Sequence, residues 1–223
     1  MNNDNSILRL RVFNHLENAI LDGKYKDNES LNELKISQEL NVSRTPVREA
    51  IMQLELEGLV KNIPNKGAIV IGISEKDIED IYAIRIRVEG LASRLSAQNI
   101  NKEELLALEQ IADLQEFFLI KNDIAQLEEL DSKFHTIIYE SSRSRPLRFM
   151  LSTFHNYIKH ARGISFQAEG RAINSINEHR KILNAISCAN IELAEEVTAE
   201  HITNAKESLL SELKKINLSF NIL

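Results

Sequence analysis

Cysteine occurs once in the 223-residue chain, proline three times and glycine seven times. The lone Cys188 excludes an internal disulfide and any cysteine-rich zinc module. So little glycine and proline, beside abundant Leu, Ile, Glu and Ala, favours a mostly helical chain. No apolar run reaches the roughly 18 residues of a membrane span, and no charged-then-apolar leader opens the chain, so a soluble, cytoplasmic protein without membrane contact is expected. A surplus of positive charge is missing too. The formal charge is −6; residues 1–73 carry 9 Lys and Arg against 10 Asp and Glu, and the rest of the chain 18 against 23.

What is present is concentrated between Ile36 and Gly58. The spacing predicts two short helices with a tight turn at Asn41 and Val42. Ser43 is placed to accept a hydrogen bond from the amides that open the second helix, and Pro46 is tolerated in that first turn. Val47, Ile51, Leu54 and Leu59 recur at helical spacing as a buried stripe. Arg44, Thr45 and Arg48 lie off it at the helix opening, where a DNA-reading helix presents side chains to a major groove. Gly58 stops the helix. Two short β-branched runs around Asn65-Lys66-Gly67 then predict a hairpin with Lys66 near its tip. A capped helix with two surface arginines accounts equally for the helix pair alone; a hairpin at the right distance is what favours a winged helix-turn-helix.

The string Val-Ser-Arg-Thr-Pro-Val-Arg-Glu-Ala at 42–50 stands unbroken, followed by Leu-Glu-x-Glu-Gly-Leu-Val at 54–60 and Pro-Asn-Lys-Gly-Ala at 64–68. On these strings residues 9–73 resemble the winged helix-turn-helix of GntR-type bacterial transcription regulators. The resemblance implies that Arg44, Thr45 and Arg48 contact operator DNA, with Lys66 and Gly67 at the wing. Where the family usually has Pro-Gly before the first helix of the motif, this chain has Asp27-Asn28-Glu29-Ser30. Because the positive charge is focused at Arg44, Arg48, Lys61 and Lys66, one copy would bind weakly and salt-sensitively. A homodimer on a palindromic operator is the natural remedy.

Before this motif, Ile7–Leu21 reads as an amphipathic helix closed by Asp22-Gly23, and residues 1–5 as disordered polar chain. His15 on this helix has no evident partner. After a short link at 72–74, six helical segments are expected at about 75–98, 101–121, 123–142, 145–166, 170–188 and 190–216. The expected fold is mainly α: a DNA-binding domain over 1–73, and an all-helical six-helix bundle over 74–223 for effector sensing and dimerisation.

Asp131 and His135 stand four apart, one turn apart on one helical face, as a divalent metal requires. His179 and His201 lie one on each of the last two helices, so a bundle can bring one carboxylate and three imidazoles together. That donor set suits Zn, Ni, Mn or Fe alike. An Asp-x-x-x-His pair is common and usually structural, and His155 and His160 show that histidine serves other purposes here.

Residues 75–206 resemble the ligand-sensing domain of the FadR-like branch of GntR regulators, through Arg85 with Glu89 to Ala92, Asp-x-x-Phe-His at 131–135, and Glu-His-Arg-x-Ile-Leu-x-Ala-Ile at 178–186. Carried over by position, the resemblance implies metal ligands Asp131, His135, His179 and His201, in a domain of the shorter, VanR-like kind. Ala189-Asn190, where Gly-Asp is usual, and Arg145, where Asn often begins the fourth helix, depart from the pattern. Open positions on the metal would admit a small carboxylate metabolite, with Arg85 matching the family's arginine as its partner and Tyr82 and Arg162 as further pocket residues. Arg87 is the next candidate, and an ion pair with Glu79 or Glu89 is the alternative for either arginine. The expected function is a metabolite-responsive repressor. A metal-dependent enzyme and a regulator with a metal-free pocket are the alternatives.

Overall fold

The computed structural model describes residues 2–166 and 168–220, with the side chains of residues 2–5, 155, 156, 159–164 and 216–220 outside the described set. The chain forms two compact units, Met1–Glu75 and Lys76–Leu223.

The first unit contains α1 (Asn2–Leu21), α2 (Glu33–Glu39), α3 (Arg44–Leu56) and the strands β1 (Val60–Ile63) and β2 (Gly67–Val70). Helix α1, expected from Ile7, starts at Asn2; residue 1 lies outside the described residues. Val12, Leu16, Ala19 and Ile20 of α1 are buried, as are Val47, Ala50, Ile51 and Leu54 of α3, and the two helices pack together. Each such aliphatic side chain contributes about 1.5–3 kcal/mol of burial free energy. Between α2 and α3 the chain reverses at Asn41, whose φ of 51° is one that asparagine tolerates. Helix α3 ends in a Schellman motif. The amide of Leu59 donates to Leu54 O at 3.0 Å and that of Gly58 to Glu55 O at 3.1 Å, with Gly58 at φ 79°.

One expectation is corrected. Ser43 takes the N-cap backbone position of α3, but its side chain makes no capping hydrogen bond. Pro46 is the third helical residue and has no N–H to offer, so one of the two amides a capping hydroxyl serves is missing.

Strands β1 and β2 pair antiparallel from Val60↔Val70 to Ile63↔Gly67. The loop between them is a Pro64-Asn65 turn closed by the Lys66 amide on Ile63 O at 3.0 Å, with Asn65 at φ 65°. Segment 28–31 lies along the other edge of β2, through Leu31 N to Ala68 O at 2.8 Å and Val70 N to Glu29 O at 2.9 Å. The departure from Pro-Gly in this segment is absorbed by Asn28, which adopts φ 66°.

The second unit is all-helical: α4 (Glu75–Asn99), α5 (Lys102–Ile120), α6 (Ile124–Ser141), α7 (Arg145–Phe166), α8 (Arg171–Ser187) and α9 (Ile191–Phe220). Asn101 and Glu104 form a reciprocal capping box at the start of α5, and the Asp123 side chain caps α6. Helices α5, α6, α7, α8 and α9 pack against one another around Leu108, Phe134, Ile138, Leu151, Ile182 and Ile186. Gly90 lets α4 approach α9 closely, since a β-carbon there would sit 3.1 Å from Glu195 O. Among the described residues, no helix is long and apolar enough to cross a membrane.

Candidate functional site

On the first unit, Arg44, Thr45 and Arg48 are exposed along the opening turns of α3, and Lys66 and Gly67 are exposed on the wing. Arg44, Arg48, Lys66 and Gly67 line one hollow of about 470 Å³ between α2, α3 and the hairpin. Both arginines meet Glu33, the first residue of α2. Arg44 Nη2 donates to Glu33 Oε2 at 3.0 Å, and Arg48 donates through Nη2 to Oε2 at 3.1 Å and through Nε to Oε1 at 3.2 Å. The hydrogen bond from Arg48, against some opposing burial and with help from Arg44, holds the Glu33 carboxyl below its ordinary range.

In the second unit the periodicities of α6, α8 and α9 bring Asp131, His135, His179 and His201 together, with one ligating atom from each within 4.8 Å of the others. All four are buried, His179 completely. Each imidazole turns its Nδ1 outward to a fixed partner. His135 Nδ1 lies 3.2 Å from Glu89 Oε2, His179 Nδ1 2.9 Å from Gln115 Oε1, and His201 Nδ1 2.7 Å from Glu178 Oε2. With Nδ1–H of His179 and His201 donating to Gln115 and Glu178, the Nε2 of each is left as a bare lone pair, whereas the His135–Glu89 contact is an ion-pair approach that leaves Glu89 Oε2 without a hydrogen bond. His135 Nε2 and His201 Nε2 face each other at 3.3 Å, and His179 Nε2 lies 3.5 Å from Asp131 Oδ1 with no hydrogen-bond partner. The His179 ring is further held by stacking on Phe134, 4.2 Å between centroids at 12°.

Burial, and then neighbouring His201, push the His179 pKa well below its ordinary value; burial lowers His201 as well, against the opposing hydrogen bond to Glu178. These two rings are therefore neutral at pH 7. Burial pushes the Glu89 carboxyl up, but Arg85 and His135 beside it outweigh burial and keep it ionised. The Arg85–Glu89 pair at 2.6 Å is the alternative foreseen for that arginine, yet Arg85 also lines the cavity beside the cluster. Its guanidinium lies 4.8 Å from the Tyr82 ring centroid. That cavity, about 20 Å³, is bounded by Tyr82, Arg85, Asp131, His135, Arg171 and His201 among others. Arg87 is exposed and points elsewhere, as is His15; the side chain of Arg162 lies outside the described residues, as do those of His155 and His160.

Three Nε2 atoms and a carboxylate oxygen fit a cation. Ligand distances of about 2.0–2.2 Å place neighbouring donors about 3–4 Å apart; the nearest pairs here are at 3.3 and 3.5 Å, His135 Nε2 to Asp131 Oδ1 is 4.0 Å, and all four lie within 4.8 Å. The two Nε2 atoms at 3.3 Å share a proton in one tautomer and repel when neither is protonated; a cation between them removes that repulsion.

Sequence reasoning missed the residues that orient the cluster. Glu89, Gln115 and Glu178 have no spacing in the sequence that ties them to the imidazoles they face. Arg171 and Ser175 also reach the cavity. Arg171, Ser175, His179 and Leu183 recur every four residues on α8, all buried, so a charged residue on an otherwise inward stripe was the available signal.

Fold and site together define a winged helix-turn-helix unit joined to an all-helical unit with a buried histidine and aspartate cluster. The chain belongs to the gntR family of bacterial regulatory proteins: that family's model matches residues 8–70 and the FCD domain model matches residues 80–204. It is 30% identical over 201 residues to the uncharacterized HTH-type transcriptional regulator YdhC of Bacillus subtilis, covering 90% of each chain. It is 25% identical over 179 residues to the HTH-type transcriptional repressor RspR of Escherichia coli, covering 80% of this chain and 78% of the relative. The structure of E. coli McbR/YncC shares the fold at a TM-score of 0.74 and 22% identity, over 92% of this chain and 98% of that one. The protein is thus a DNA-binding transcriptional regulator, and the enzyme alternative falls away because family and relatives are regulators.

Proposed function

We propose that this protein is a homodimeric, cytoplasmic, metabolite-responsive repressor. Arg44, Thr45, Arg48, Lys66 and Gly67 contact operator DNA; Asp131, His135, His179 and His201 hold a divalent Zn, Ni, Mn or Fe ion; and Arg85, with Tyr82 and Arg162, receives a small carboxylate effector. Repression is the role that RspR and the gluconate operon repressor of Bacillus licheniformis carry in their names. The dimer follows from how few cations the reading face presents.

What supports the metal reading is the convergence of Asp131, His135, His179 and His201 within 4.8 Å, with Nδ1 of His179 and of His201 engaged by Gln115 and Glu178. A bound cation would supply a Lewis-acidic anchor for an oxyanion. Around it, Gln115 and Glu178 hold the tautomers of His179 and His201, and Arg85 and Arg171 present guanidinium N–H groups to the same cavity. A carboxylate entering there displaces water from these donors and changes operator affinity through a coupling free energy between the two sites.

Metal analysis of the purified protein tests the reading. About one equivalent per chain is expected, and less than about a tenth, with no gain in thermal stability on adding metal, would leave the metal-free pocket as the function. His179→Ala should lose both metal and effector response while keeping operator binding. A fully responsive variant would place the effector elsewhere.

A further inference from the structure

We propose that Glu33 sets the sequence discrimination of the DNA-reading face, by holding Arg44 and Arg48 on one carboxylate. The inference rests on these two arginines being the DNA-contacting pair. Glu33 belongs to a different helix from the arginines it holds, and its backbone is fixed: the Asn32 side chain accepts from the amides of Leu34 and Lys35, both at 3.0 Å. The carboxylate spends one N–H of Arg44 and two of Arg48. Four of the five donors on Arg44 and three of the five on Arg48 are not spent on Glu33, and both side chains line the hollow that also contains Lys66 and Gly67.

The consequence differs between the two kinds of DNA contact. A phosphate is an anion, and approaching either guanidinium it meets a third charge of its own sign. The three side chains together present one net positive charge instead of two, so sequence-independent attraction is reduced. The O6 and N7 atoms of guanine are neutral acceptors. They take the remaining N–H donors without contesting the carboxylate, and the clamp has already fixed the guanidinium planes they must meet. Glu33 therefore penalises backbone binding more than base reading, which is how a repulsive element creates specificity.

The test uses the full chain and two duplexes: one selected by the wild-type protein from a random pool, and a scrambled duplex of equal length. Binding is followed by fluorescence anisotropy over a series of salt concentrations. Glu33→Gln should bind the scrambled duplex several-fold to tenfold tighter, with a salt slope steeper by about one. Its ratio of selected to scrambled affinity should fall about tenfold. A ratio within twofold of wild type, with an unchanged salt slope, overturns the proposal. Glu33→Asp keeps the charge on a shorter arm and covers the case in which the glutamine variant fails to fold. It should retain the wild-type salt slope while losing affinity for the selected duplex, and undiminished affinity there would equally overturn the clamp. Arg48→Ala separates the two levels of argument: if it binds the selected duplex like wild type, the assignment of the reading pair fails, whereas its loss of binding beside an unchanged Glu33→Gln ratio refutes the clamp alone.

Discussion

Gln115→Leu is the sharpest probe of the histidine cluster, because it leaves all four proposed metal ligands in place and removes one hydrogen bond to His179. Gln115 is 1% exposed on α5 and its Oε1 lies 2.9 Å from His179 Nδ1. Leucine fills much of the same volume but accepts nothing. The imidazole then has two choices. It can keep Nδ1–H buried and unpaired, which costs about 1–3 kcal/mol. Or it can move the proton to Nε2, where Asp131 Oδ1 is 3.5 Å away and ready to accept it. The second choice spares the apo fold but uses the lone pair a cation needs. Metal binding must then reverse the tautomer or go without His179. The expected loss is about 10–100-fold in affinity, or about 1.4–2.7 kcal/mol, with apo stability nearly unchanged. Competition with a chromophoric chelator measures the affinity, and circular dichroism confirms the fold. Gln115→Glu restores an acceptor and should recover most of the loss. Zinc affinity within twofold of wild type in a folded Gln115→Leu protein would refute the tautomer argument.

Two predictions concern stability. Burial first, and Glu57 second, raise the Glu17 carboxyl from 4.5 to about 6. Because the folded value is the higher one, this contribution is fully present below about pH 4.5 and is lost as pH rises through 6, a change of about 2 kcal/mol. Glu17→Gln should therefore gain about 1–2 kcal/mol over wild type at pH 7.5 and nothing at pH 4.5, read from urea unfolding of the winged unit; equal curves at both pH values would exclude the effect. Ala189 sits at φ 52°, a conformation that places its β-carbon against the backbone. Ala189→Gly should stabilise the helical unit by about 0.5–1 kcal/mol despite the looser unfolded chain, and a lowered melting temperature would contradict this.

Helices were legible from the sequence wherever apolar spacing and caps agreed. Val47, Ile51 and Leu54 are buried as their helical period requires, whereas Leu59, expected on the same stripe, is buried beyond the end of α3 at the Schellman turn; the breaks between the α4 to α9 segments fall within a few residues of their Asn, Asp, Ser and Gly punctuation. Ser43 has the residue type of an N-cap but makes no capping bond, because Pro46 removes one of the amides it would serve. The ligand candidates could be picked out because they share helical faces or resemble a family pattern. Their orienting partners could not, because Glu89, Gln115 and Glu178 reach the imidazoles across helix–helix packing, which a linear spacing rule does not see. Glu33 was hidden for the same reason, 11 and 15 residues before the arginines it holds.

The charges around the cavity bear on the proposed metal and carboxylate. Arg85 is matched by Glu89 at 2.6 Å and Arg171 by Glu178 at 2.9 Å, so these pairs cancel. With His179 and His201 neutral, Asp131 supplies the carboxylate charge at the centre of the set. A divalent cation against that charge leaves one net positive charge, and a single carboxylate would bring it to zero in a low-dielectric interior where residual charge is costly. Metal and carboxylate should then each strengthen the binding of the other, and linkage requires the two enhancements to be the same factor. Titrating zinc with and without a saturating monocarboxylate, and the monocarboxylate with and without zinc, measures both. A factor near one in either order would mean that the carboxylate, if it binds, does so away from Asp131 and the three histidines.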